Sequence, residues 1–312
     1  MPNKSIPNFL LVGAMKSGTT SLYHYLNEHP QIYMPRIKEP KFFTSSTLLK
    51  KEKFDNKFLR PNVHGPINNF EDYKSLYSNV NNEIAIGETS PQYLFTYETT
   101  IPLIKKYLGD LKIILILRNP VNRAYSAYKH NRRHNYHAPH LNEKLNFIDA
   151  LKIEDARIKT RNFPIMYFYK SMGLYYDQVK SYKDNFSQVF VCKFEDLETD
   201  SLSLMKKIYS FLEVDHNFIP NVEIKYNIAQ SKNLNFIQKA FLNFDSQTRW
   251  KIMQKTGKII GNHNLSKIVN FLIKEDKSKP DEYCRIFLIN EIKEDILKLE
   301  NLINQDLQDW LK

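Results

Sequence analysis

Two glycines, one lysine and three hydroxyls fall within eight positions near the start of this 312-residue chain, in Gly13-Ala14-Met15-Lys16-Ser17-Gly18-Thr19-Thr20. A loop of this composition exposes backbone N–H groups. A helix beginning at its end adds about half a positive charge, so the pattern suits an anion. Gly13 and Gly18 permit the tight turn and the close backbone approach that a phosphate needs. The spacing narrows the chemistry further. A Walker A loop reads G-x-x-x-x-G-K-[ST], with its lysine directly after the second glycine. Here the glycines keep that spacing, but Thr19 stands at the lysine position and the lysine comes earlier, at 16. No apolar strand ends in an aspartate suited to Mg²⁺, so a nucleoside triphosphatase is disfavoured. Lys16, with Ser17, Thr19 and Thr20, better suits one terminal phosphate-like group carrying something transferable.

Other residues of interest lie further along. Arg118 closes the apolar run Lys112–Leu117 and can grip a phosphate through two parallel hydrogen bonds. Asn119-Pro120 then opens a helix, the proline being pre-set for its first turn. Arg123, on that helix, reads as an ion-pair residue. In Lys38-Glu39-Pro40-Lys41-Phe42-Phe43, composition alone suggests an exposed turn entering the core. His29 sits at a helix end and reads as a cap. The histidines at 130, 134, 137 and 140 lack a carboxylate or cysteine at metal-ligand spacing, so a solvated face is expected. Cys192 and Cys284 lie too far apart for a metal knuckle and read as reduced, structural thiols.

Gly13 to Leu22 resembles the 5′-phosphosulfate loop of sulfotransferases that use 3′-phosphoadenosine 5′-phosphosulfate (PAPS), in particular the carbohydrate and heparan-sulfate type. Leu115 to Ser126 resembles that family's 3′-phosphate motif, a strand running into R-[ND]-P-x-x-R-x-x-S. Both motifs stand in the family's order, about a hundred residues apart. Glu88-Thr89-Ser90-Pro91-Gln92-Tyr93 is similar to the family's E-[KAT]-[ST]-P-x-Y element, with Thr89 where many heparan-type members carry lysine. Gly173 to Val179 is similar to a G-x-Y-x-x-x-[LV] helix. The resemblance implies PAPS as donor, adenosine 3′,5′-bisphosphate (PAP) as product, and no metal. It implies that Lys16, Ser17, Gly18, Thr19 and Thr20 hold the 5′ side, with Lys16 stabilising the leaving group. Arg118 and Ser126 would bind the 3′ phosphate. Glu39, in an acidic-x-x-Phe-Phe motif, would be the general base. Burial beside the aromatics would raise its pKa while the lysines pull the other way. Glu88 would touch the acceptor or support the site, or simply be a buried structural carboxylate. An asparagine-led turn at 227–232 would lie near the adenine. The segment 274–280 lacks the glycine and arginine of the family's donor loop and reads as a linker, with Lys277 or Lys279 the available substitutes.

These residues need elements to hold them. Phe9–Val12, Ile84–Gly87, Lys112–Leu117 and Gln188–Cys192 read as strands, because they are short apolar or β-branched runs. Amphipathic stretches follow at 21–26, 71–78, 99–108, 147–161, 199–212 and 281–312. Strands alternating with helices, and no Pro- or Gly-rich divider, predict one α/β domain over residues 1–312 with a central, mostly parallel sheet flanked by helices. By resemblance the fold is P-loop-like. A hydrophobic content of 42% excludes wholesale disorder. The net charge of +11 fits a solvated lysine-rich surface or anionic partners. We expect a nucleotide donor and a small-molecule or carbohydrate acceptor, no nucleic acid, no membrane anchor and a cytoplasmic location. A P-loop small-molecule kinase and a non-catalytic basic anion- or glycan-binding protein are the competing readings.

Overall fold

The computed structural model describes residues 6–44, 67, 69–133, 143–160, 163–223 and 278–312. In chain order the elements are β1 (Phe9–Gly13), α1 (Thr19–Asn27), β2 (Ile32–Tyr33), α2 (Phe70–Ser75), β3 (Ala85–Thr89), α3 (Tyr97–Leu108), β4 (Lys112–Leu117) and α4 (Pro120–Arg133). There follow α5 (Phe147–Lys152), α6 (Glu154–Thr160), α7 (Tyr176–Asn185), β5 (Val189–Lys193), α8 (Phe194–Thr199), α9 (Ser201–Leu212) and α10 (Glu282–Ile303). The strands form one five-stranded sheet in the order β2-β3-β1-β4-β5, and every pairing is parallel.

A parallel sheet covered on both faces needs strands that are apolar on both faces, and the continuous runs in β1 and β4 meet that need. Leu10, Val12, Ile113, Leu115 and Leu117 point into one core with α3, α4, α7 and α10. Phe9, Leu11, Ile114 and Ile116 point the other way, into a second core with α1 and α9. Alternation along each strand divides one apolar run between two layers. Each such side chain, fully buried, contributes roughly 1.5–3 kcal/mol. Gly87 makes room for the middle of this packing, since a Cβ there would stand 2.2 Å from the Phe9 ring.

Three elements differ from the sequence reading. The stretch 147–161 is two helices, α5 and α6, broken at Ile153. The helix expected over 199–212 is α9, preceded by a separate α8. The Asp200 side chain accepts from the Ser203 N–H at 2.9 Å and so starts a new helix. The two-residue β2 is too short for any periodicity to reveal. Within α10, Ile286 follows the apolar spacing yet is exposed. Cys192 and Cys284 are buried free thiols. Among the described residues no helix is long and apolar enough to cross a membrane.

Candidate active site

Because the strands are parallel, their carboxyl ends share one edge, and the chain order reverses direction around β1. Ligand crevices of open α/β sheets form at that switch point. The loop after β1, Thr89-Ser90 after β3, Arg118 after β4 and Phe194 after β5 all lie along this edge.

The loop is held in a specific shape. Lys16 adopts φ 69° and Gly18 φ 83°, both left-handed. A Cβ on Gly18 would come within 2.9 Å of Phe194 and Leu197, so both its backbone and its packing require glycine. Gly18 is the N-cap of α1; no side chain caps this terminus, and no acidic residue stands in the first turn. The first N–H groups of α1 therefore keep their capacity for an anion. Ser17 is fully buried, and its hydroxyl, beside the Tyr175 phenol, makes no hydrogen bond of good geometry among the described residues. Arg118 Nη1 donates to the Lys16 carbonyl at 3.1 Å, and its guanidinium stacks 4.3 Å from the Phe194 ring centroid. Tyr175 donates its hydroxyl to the Arg118 carbonyl at 3.1 Å. Asn119 Oδ1 accepts from the N–H of Val121 and Asn122, capping α4 ahead of Pro120. Glu195 in turn accepts the Asn119 N–H at 3.1 Å. Burial pushes the Glu195 carboxyl up. An orphaned hydroxyl, an uncapped helix start and a pre-oriented arginine fit a phosphate-bearing ligand.

Beside this edge, the Glu39 N–H donates to the Thr89 carbonyl at 3.0 Å. Phe42 and Phe43 are fully buried in an aromatic cluster with Tyr73, while the Glu39 side chain keeps 31% exposure. Its carboxylate lies 2.6 Å from Lys38 Nζ and 3.4 Å from Lys41 Nζ. Removal from water alone would raise its pKa, but the two ammoniums outweigh that and hold it at about 2. Of the two opposing influences expected on Glu39, the lysines win. His24, on α1, is held down to about 3 by burial and then by the Lys38 charge. Glu88 is fully buried, and burial raises its carboxyl to about 7. Thr89 is also buried, its hydroxyl without a hydrogen bond among the described residues.

Lys16, Ser17, Gly18, Thr19, Thr20 and Arg118 are thus brought together, with Glu39 on the neighbouring strand end. Ser126 sits half-buried in α4 and makes no hydrogen bond to the loop among the described residues. Arg123 differs from the ion pair expected of it. It is fully buried, donates to the Tyr169 carbonyl, and has no carboxylate at ion-pair distance among the described residues. His29 is buried, its Nδ1 accepting from the Gln31 N–H and its Nε2 facing the Asp215 carbonyl at 2.9 Å. The histidines at 134, 137 and 140, the turn at 227–232 and residues 274–277 lie outside the described residues. Lys279 is exposed. Among the described residues no group of three potential metal ligands occurs. Sequence reasoning missed Phe194 and Glu195, and gave no role to Tyr175, because nothing local ties them to a loop so distant in sequence.

Residues 7–284 match the sulfotransferase domain family. The chain belongs to this family. Sulfotransferases transfer sulfuryl groups, and membership of their family speaks against the P-loop kinase reading. A crystal structure of a sulfotransferase from Alicyclobacillus acidocaldarius resembles it with a TM-score of 0.71 at 29% identity, covering 98% of this chain and 99% of that one. Membrane-associated sulfotransferase kil1 of Dictyostelium discoideum is 37% identical over 123 residues, 39% of this chain and 22% of that protein. Human bifunctional heparan sulfate N-deacetylase/N-sulfotransferase 2 is 33% identical over 129 residues, 41% of this chain and 13% of that protein. The chain therefore spans less than a quarter of the length of those two relatives.

Proposed function

We propose that this sulfotransferase moves the sulfuryl group of PAPS to a hydroxyl or amine of a carbohydrate, glycolipid or small-molecule acceptor and releases PAP. The observation that carries this reading is the hydrogen bond from Arg118 to the Lys16 carbonyl, at 3.1 Å. It ties the two motifs to each other at one edge of the sheet, which supports a single ligand reaching both. In the proposed step the acceptor oxygen or nitrogen bonds to sulfur as the bond from sulfur to the 5′-phosphate oxygen breaks. The electron pair stays on that oxygen, where Lys16 and the N–H groups of residues 16–20 neutralise it. The acceptor proton passes to Glu39. Arg118 and Ser126 take the 3′ phosphate, the group that separates PAPS from ATP.

A carboxylate held at about 2 is a poor base. The sulfonate supplies a competing anion for Lys38 and Lys41, and as either ammonium turns to it the Glu39 carboxylate becomes more basic. The lysines then serve the transferring group, and the base is released only with donor bound.

Calorimetric titration with PAP, ADP and ATP tests the donor assignment. We expect PAP to bind in the micromolar range or tighter. Arg118→Ala should weaken it at least tenfold, about 1.4 kcal/mol. Tighter binding of ATP with Mg²⁺, unaffected by Arg118→Ala, would overturn the reading.

A further inference from the structure

Glu39 and Lys41 adopt left-handed backbone conformations, φ 61° and 58°, although neither is glycine. Such a conformation is unfavourable for a residue with a Cβ and persists only where its surroundings over-determine it. What fixes this turn comes from β3. The Lys41 N–H donates to Ser90 Oγ at 3.1 Å, and Ser90 Oγ donates to Glu88 Oε2 at 2.9 Å. The Phe43 N–H donates to Tyr93 Oη at 3.3 Å, and Tyr93 Oη donates to Glu88 Oε1 at 3.0 Å. The Tyr73 hydroxyl completes the set at 3.1 Å from Oε1. Glu88, Ser90, Tyr93 and Tyr73 are all fully buried.

A hydroxyl has one proton to give. Ser90 and Tyr93 each give theirs to Glu88, and this leaves their lone pairs turned toward the backbone of residues 41–43. Replace the acceptor, and each hydroxyl is free to rotate away from the N–H it now receives. One carboxylate thus orients two hydroxyls, and they anchor two backbone groups of the turn. The Glu39 N–H bond to the Thr89 carbonyl is the third anchor on the same strand end.

We propose that Glu88 is the positioning residue of the Glu39 turn: through Ser90 and Tyr93 it holds the backbone that sets the Glu39 carboxylate between Lys38 and Lys41. The catalytic meaning of this device rests on the reading of Glu39 as the base. Glu88 acts through the turn and does not touch the acceptor, which explains why a carboxylate so deeply buried adjoins the site. Among the described residues, the charged groups that act on Glu39 are Lys38 and Lys41 from its own turn and Glu88 from β3, with His24 of α1 facing Lys38.

Titration of the glutamate side-chain carboxyls by ¹³C NMR, with Glu39→Gln to assign the Glu39 signal, reads the geometry without any acceptor. In the unaltered protein Glu39 should titrate near 2. In Ser90→Ala and in Glu88→Met, which leaves the hydroxyls of Ser90 and Tyr93 no acceptor, it should move up by about one unit or more, toward the ordinary carboxylate value of about 4.3. Tyr77→Phe serves as the control. It removes a buried hydroxyl that donates to Tyr73, not to Glu88, and should leave Glu39 in place. An unmoved Glu39 in Ser90→Ala, or an equal movement in Tyr77→Phe, overturns the proposal. PAP affinity, measured on the same samples, should change less than twofold. Failure of PAP to bind the unaltered protein would remove the donor reading and leave the carboxyl titration to judge Glu88 on its own.

Discussion

Glu88 is a carboxyl that the fold keeps protonated beyond its ordinary range. Burial raises it from 4.5 to about 7, and the hydroxyls of Ser90, Tyr93 and Tyr73 only partly offset this. The native state therefore retains a proton that the unfolded chain releases between about pH 4.5 and 7. Stability should fall as pH rises through that window, by on the order of 3 kcal/mol for a group so fully buried. Denaturant unfolding at intervals from pH 4.5 to 8 measures this slope, and Glu88→Gln should flatten it. Glu39 behaves in the opposite sense. Its lowered pKa contributes stability that is complete above about 4.5 and is lost only as pH falls toward 2. The two carboxyls, side by side, are thus separable by pH.

At the scale of elements, the donor edge depends on how tightly α8 packs against the loop. Gly18→Ala combines a left-handed φ of 83° with a Cβ pressed against Phe194 and Leu197. Roughly 1–2 kcal/mol for the backbone and 1–3 for overpacking give an expected loss of about 2–5 kcal/mol. Any relief that shifts Phe194 also unseats the Arg118 guanidinium, so PAP affinity should fall with stability. Chemical denaturation and PAP titration on the same variant check both. The strands and most helices were legible in sequence because β1 and β4 are buried on both faces and so read as unbroken apolar runs. The loop was legible because its glycines and lysine are close together. The Glu39 turn was legible as a motif but not as a shape, since no residue type announces a left-handed glutamate and lysine. Its anchors, Ser90 and Tyr93, lie about fifty positions away. The break between α8 and α9 depended on one aspartate used as a cap. The lone guanidinium of Arg123 was misread because helical spacing suggests neighbours on the same helix, whereas its partner is the Tyr169 carbonyl.

Across the whole molecule, the proposed donor is a polyanion and the chain carries a net charge of +11. Binding to the native state alone should stabilise it by about 2.7 kcal/mol at a hundred times the dissociation constant. For a protein of this size that raises Tm by about 4 °C. Thermal unfolding with and without PAP measures the shift, and a tenfold weaker Arg118→Ala should lose about half of it at the same PAP concentration. Added salt should shrink the shift, as screening weakens the attraction.

The strand order β2-β3-β1-β4-β5 has one more consequence. The Glu39 turn and its hydroxyl anchors are mounted on β3, and Arg118 with its aromatic partner on β4 and β5. The glycine loop lies on the seam between them. On the proposed reading, grip on the nucleotide and choice of what receives the sulfuryl group are built on opposite halves of one sheet. Such a division would make the protein modular. Chimeras that exchange the segment from residue 28 to residue 96 between relatives can redirect acceptor selection while keeping a common donor, provided Glu88, Ser90 and Tyr93 travel with the turn they hold.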